Sequence, residues 1–347
     1  MKFDVRAGGL DLRSAQELAR DVSSSGLAGI VFTEAGRTAY LSCAAAALAA
    51  EVDIATGIAV AFARSPMVTA ATAWELAEAT GGRFRLGIGT QVRAHIERRY
   101  AAAFDAPGPR LRDYVLALRS IFSAFRGEAK LDHDGRFYKL SLLPAQWSPG
   151  PIDVPDPPID IAAVNPWMLR MAGEIADGVH VHPLNTPTYL DQTVRPSIAA
   201  GATAAGRAPG DVHLIVPCFT AASDDERERQ QWRDMARMQV AFYGSTPNYH
   251  FIFDQLGFEG TTARIRERQK AGDFAGMSAA ISDDLLEHFV VSGTWEELPV
   301  RLADRYRDVD RVVLYFAGMA WQRDRTVLER WGAVADEAQR IASAPRP

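Results

Sequence analysis

At 347 residues the chain exceeds a minimal domain and suits one (β/α)8 barrel or two smaller domains. Its 48% apolar and 23% charged content is that of a globular protein, and a formal net charge of −5 is the wrong sign for a general nucleic-acid binder. The two cysteines, Cys43 and Cys218, form no CxxC, which leaves neither a disulfide framework nor a zinc ribbon, and apolar runs such as YLSCAAAALAA fall short of a membrane span.

The first strand is predicted at 2–6, with no basic–apolar–small leader before it, so the cytoplasm is the expected location. The stretch DLRSAQELARDVSSSG then places Leu12, Ala15, Leu18, Ala19 and Val22 on one helical face and stops at Gly26. A strand at 28–33 ends beside Glu34, and another spans 52–60 as VDIATGIAV. Ser65 and Pro66 open the next helix, which stops at Gly81 before a strand at 83–89. Residues 127–157 break the rhythm with a hairpin candidate, DHDGRFYKL, and a proline-rich connection. Strands follow at 158–163, 177–183 and 212–220. A long insertion at 244–309 carries helical pieces at SDDLLEHFVV and TWEELPVRLADRY, and a last strand covers 310–316. The strand candidates are near-continuous apolar runs, as parallel strands buried on both faces require. The alternation predicts an α/β fold, a single (β/α)8 TIM barrel over 1–347; an open doubly wound sheet is the structural alternative.

The segment GGRFRLGIGTQVRAHIERRY at 81–100 has the look of a phosphate-binding turn. A dinucleotide fingerprint would need glycine at 92, where Val92 stands, and no acidic residue follows at the ribose-reading distance. Its glycines instead read as the end of a barrel strand opening onto the active-site face. Glu34 at a strand end could orient substrate or take a proton, or merely cap a turn or pair with Arg37. His95, just past GTQV, could donate a proton near neutral pH, or simply begin a solvated helix. His180 and His182 share a strand face; a metal would need a third ligand that the sequence does not show, and His182, nearer the strand end, suits a pocket wall. Asn165 and Pro166 start a helix whose free amides could hold a phosphate or hold nothing. The aromatic run VAFYGSTPNYHFIFDQLGF reads as a substrate wall, a barrel seal or a dimer contact.

Three blocks carry a resemblance: VDIATGIAVAFARSPMVTAATAWELAEATGGRFRLGIGTQ, NPWMLRMAGEIADGVHVHP and VVSGTWEELPVRLADRY. Together they resemble the luciferase-like flavin and deazaflavin oxidoreductases over most of the chain. The runs TQVRAHIERRY and LRDYVLALRSIF are similar to a branch assigned to coenzyme F420, an 8-hydroxy-5-deazaflavin. The resemblance implies a bacterial-luciferase-like TIM barrel with insertions after strand 4 and between strands 7 and 8. It also implies a non-prolyl cis peptide at Gly57–Ile58, with Ala59–Val60 as the alternative register. Cofactor contacts are implied at Thr56, Gly57, Ile58, Ala59, Gly89, Thr90, Gln91, Asn165, Pro166, Trp167 and His182, and catalytic roles at Glu34, His95 and His182, with no metal. The implied activity is hydride transfer between C5 of F420 and a small-molecule substrate. The alternative is an FMN-dependent monooxygenase fed by a separate reductase. Basic residues that would grip a phosphorylated sugar are not identifiable. A homodimer is expected through the alanine-rich outer helices near 38–50 and 66–80, with no nucleic acid and no membrane as partner.

Overall fold

The strands, in chain order, are β1 (Lys2–Gly8), β2 (Gly29–Thr33), β3 (Asp53–Thr56), β4 (Ala59–Val60), β5 (Phe84–Gly89), β6 (His133–Asp134), β7 (Lys139–Leu140), β8 (Ile159–Ala163), β9 (Gly178–Val181), β10 (His213–Ala222), β11 (Val290–Gly293) and β12 (Arg311–Leu314). They come from a computed structural model that describes residues 1–344. The main sheet runs β12-β1-β2-β3-β5-β8-β9 and closes on itself, because β10 pairs in parallel with both β9 and β12. Counting β3 and β4 as one interrupted stave and setting β11 aside leaves eight parallel staves in this ten-stranded sheet. Closure rules out the open doubly wound alternative.

Local signals place the helices. Asp11 Oδ1 accepts from the Ser14 amide at 2.9 Å, and Gly26 takes the left-handed φ of 87° that ends the helix Leu12–Ser25. Ala15, Leu18, Ala19 and Val22 are buried as expected, but Leu12, in the first turn, is exposed. The Ser65 hydroxyl accepts from the Val68 amide at 3.3 Å at the start of the helix Pro66–Ala79.

Two predicted elements change. The hairpin forms as β6 and β7, but only Asp283–Glu287 of the expected helical stretch SDDLLEHFVV is helical. Its two valines open β11 instead. The reason lies in β10, of which β12 covers only Ile215–Cys218; β11 pairs with Phe219–Ala222 and takes up backbone groups that would otherwise be orphaned. The predicted strand 52–60 is likewise one stave in two pieces, β3 and β4, split at residues 57–58.

Inward-facing side chains form layers. The floor is ionic: Arg311 donates to both Asp4 oxygens at 2.6 and 2.5 Å and to Asp53 at 2.8 Å. Arg85 donates to both Asp160 oxygens at 2.9 and 2.6 Å. Above it sits an apolar layer of Val31, Ala55, Ile215 and Val313, separate from the larger core outside the barrel. The C-terminal strand ends above that layer form the mouth.

Candidate active site at the C-terminal mouth of the barrel

The third stave breaks because its Gly57–Ile58 peptide is cis, in the first of the two expected registers. Gly57 has no room for a side chain: a Cβ there would fall 2.1 Å from Val31 and 3.2 Å from the His180 ring. Ile58 folds over the end of β5, where a Cβ on Gly89 would lie 3.0 Å from its Cδ1 and 3.2 Å from Ala162. The space beside Gly89 is therefore filled by Ile58 rather than left bare.

Glu34 is buried just past β2. Its Oε2 accepts from the Val60 amide at 2.8 Å and from Arg64 Nη1 at 3.0 Å, and its Oε1 accepts from Arg64 Nη2. The ion-pair partner is thus Arg64 and not Arg37, which donates instead to the Gly9 carbonyl at 3.2 Å. So engaged, the Glu34 carboxylate holds β4 in place after the break. Thr56 is fully buried and its hydroxyl donates to the Gly87 carbonyl at 2.7 Å, so it has no free group for a ligand.

Beyond β5, Thr90 donates to the Gln91 carbonyl and Gln91 Oε1 accepts from the Val92 amide at 2.9 Å. Gln91, Ala101 and Ala106 adopt left-handed φ values of 56°, 50° and 40°, all in the connection before the helix Pro107–Arg126. Such backbone strain in non-glycine residues gathers at functional loops. His95 lies on the short helix Arg93–Arg98, exposed and without a side-chain hydrogen bond. Asn165 caps the helix Pro166–Ile175 by accepting from the Met168 amide at 3.0 Å. Asn165, Pro166 and Trp167 are all exposed there.

His182 is the predicted residue that the structure brings into the densest set of polar and aromatic groups. Its Nδ1 accepts from the Leu184 amide at 3.0 Å, so the ring proton of the neutral form sits on Nε2. Burial pushes its pKa down to about 3, so it is neutral at pH 7. Asn185 steadies the turn by donating to the carbonyls of His182 at 2.9 Å and Pro217 at 2.8 Å. The His182 ring packs edge-on against Tyr243 at 4.8 Å and tilted against Tyr249 at 4.6 Å. The Tyr243 and Tyr315 hydroxyls share a hydrogen bond of 2.6 Å, and burial raises the Tyr243 pKa, keeping it protonated. Arg6 lies over the Tyr315 ring at 4.2 Å. Deeper in, His180 is buried with Nε2 unbonded, 4.0 Å from Asp160, and burial lowers its pKa to about 4. No cluster of three or more His, Cys, Asp or Glu able to hold a metal occurs among the described residues.

Arg6, Thr33, Arg64 and Tyr315 lie outside the set expected from sequence. For Arg6 a signal was available: period-2 counting along β1 puts Lys2, Asp4 and Arg6 on one face. Tyr243 and Tyr249 belong to the aromatic run read as a candidate substrate wall. Two features leave this part of the mouth open to a ligand. A Cβ at Gly9 would meet nothing within 4 Å, and the Thr33 hydroxyl is buried without a hydrogen-bond partner.

Residues 3–311 match the family model described as luciferase-like monooxygenase. An uncharacterized protein of Mycobacterium tuberculosis is 34% identical over 307 residues, covering 88% of this chain and 90% of its own. A 5,10-methylenetetrahydromethanopterin reductase of Archaeoglobus fulgidus is 28% identical over 245 residues, 69% of this chain and 68% of its own. The coenzyme F420-dependent tetrahydromethanopterin reductase of Methanopyrus kandleri superposes with a TM-score of 0.77 at 18% identity, covering 96% and 98% of the two chains. The oxygenating constituent of 3,6-diketocamphane monooxygenase from Pseudomonas putida, in complex with FMN, gives 0.67 at 15% identity and covers 100% of both chains.

Proposed function

Because this chain belongs to the luciferase-like monooxygenase family, we propose that it is an F420-dependent oxidoreductase acting on a small organic substrate at the barrel mouth. The observation that carries this reading is the relationship to a reductase over more than two thirds of the chain. A reductase of similar name that shares the fold is F420-dependent. When bound, the deazaflavin supplies a hydride donor or acceptor at C5; the chain's residues bind, orient and handle protons. His182 is assigned the proton-bearing role. With Nδ1 taken by the Leu184 amide, its neutral Nε2–H can hydrogen-bond a substrate oxygen as negative charge develops. Glu34 is assigned positioning, because its carboxylate is engaged by Arg64 and Val60, and the exposed His95 is left without a partner at the mouth.

An FMN-dependent monooxygenase supplied by a separate reductase is the second reading, favoured by the FMN-bound oxygenase that shares this fold over its full length. The two part on oxygen. Carbonyl and imine compounds are screened with reduced F420 and, separately, with reduced FMN, each under argon and under air, following product formation. Equal rates under both gases support hydride transfer, and turnover that requires air supports oxygenation.

A homodimer is proposed as well. The helices Ala39–Ala47 and Pro66–Ala79 leave Leu41, Leu48 and Val68, on or next to them, exposed at 57%, 80% and 53%, the kind of apolar surface a partner copy covers. A cytoplasmic location belongs to the same proposal; no helix among the described residues is long and apolar enough to cross a membrane.

A further inference from the structure

Arg6 is in register with Val31 on the neighbouring strand, and Val31 belongs to the layer inside the barrel, so Arg6 also faces inward. The inward cations beneath it are all paired: Lys2 with Asp53, Arg85 with Asp160, and Arg311 with Asp4 and Asp53. Arg6 differs. Its guanidinium carbon lies 4.2 Å from the centroid of the Tyr315 ring, yet it makes no hydrogen bond or ion pair with any described residue.

Gly8 follows Arg6 on the same face of β1, and a Cβ there would meet only Thr33, at 3.6 Å. Thr33 is paired with Gly8 in the sheet, and its buried hydroxyl has no partner. An unpaired guanidinium and an unpaired hydroxyl thus flank a space that carries no side chain. Tyr315 then links Arg6 to Tyr243 through their hydroxyls, and the Tyr243 ring touches His182.

We infer that the mouth takes substrates bearing a carboxylate on a flat apolar body, with Arg6 gripping the carboxylate. A guanidinium presents two parallel N–H donors that match the two oxygens of a carboxylate. One uncompensated positive charge suits a monoanion, since a doubly charged phosphate would call for a second free cation. The rings of Tyr315, Tyr243 and His182 offer flat faces and edges to an apolar body. This inference rests on the proposed oxidoreductase reading in that the remainder of the substrate is placed beside His182.

The test is calorimetric titration of the full chain with benzoate and with benzamide, its neutral counterpart. It is run on wild type, Arg6→Met and Arg6→Lys, with F420 titrated into the same proteins. Arg6 has no hydrogen-bonding or ionic partner among the described residues, so both variants are expected to fold, and a thermal melt verifies it. Benzoate is expected to bind wild type, to weaken at least tenfold in Arg6→Met and to recover in part in Arg6→Lys; benzamide and F420 affinities stay within twofold. Absence of benzoate binding to wild type, or unchanged binding in Arg6→Met, overturns the inference. So does a loss confined to F420, which would assign Arg6 to an anionic group of the cofactor. If F420 binds none of the proteins while benzoate binding still depends on Arg6, the carboxylate site stands and the cofactor assignment falls.

Discussion

His180 and His182 were legible as a pair because strand periodicity puts them on one face, but their environments separate them. His182 finds a backbone donor and two tyrosine rings, whereas His180 lies under Gly57 with Nε2 unbonded. Sequence spacing reports the shared face and cannot report which ring finds a hydrogen-bond partner. Arg64, too, could not be chosen over Arg37 as the partner of Glu34, because that choice depends on how the chain turns after the cis peptide. The burial of His180 has a consequence for stability. In the unfolded chain it protonates near pH 6.5, but in the folded protein only near pH 4, so between these values the unfolded state binds more protons. Stability present above pH 6.5 is therefore lost as pH falls toward 4, with His180 alone adding a slope of about 1.4 kcal/mol per pH unit. Urea midpoints for wild type and His180→Gln at pH 7, 6 and 5 should converge as pH falls; parallel trends would refute this.

At the scale of elements, the staves were readable because buried parallel strands are continuous apolar runs bounded by glycine, proline and caps. What escaped was pairing. The sequence of β11 resembles a helix end, and only the bare upper half of β10 makes it a strand. The two glycines of β5 also look alike in LGIG but face different neighbours. A Cβ at Gly87 would fall 2.0 Å from the Thr56 carbonyl oxygen and 2.5 Å from His180 Nε2, against backbone that cannot yield. At Gly89 the nearest atom is the mobile end of Ile58 at 3.0 Å. Gly87→Ala should thus cost about 1–3 kcal/mol of unfolding free energy, and Gly89→Ala well under half of that. The reverse order in urea unfolding would contradict so close an approach of β3 to β5.

For the molecule as a whole, closure turns separate strand ends into one mouth, which is why Glu34, Gly89, His182 and Arg6, far apart in sequence, belong to one face. Composition and alternation announce the barrel, but which groups meet across it depends on register and on the insertion that delivers Tyr243 and Tyr249. The outer surface carries its own expectation: sedimentation at micromolar concentration should give a dimer, and Leu41→Lys with Leu48→Lys should shift it to monomer. A wild-type monomer would remove the dimer proposal. The central claim concerns the cofactor, and competitive titration of purified protein with F420 and FMN tests it most directly. F420 is expected to bind at least tenfold more tightly, about 1.4 kcal/mol. Equal affinities, or a preference for FMN, would contradict the deazaflavin assignment.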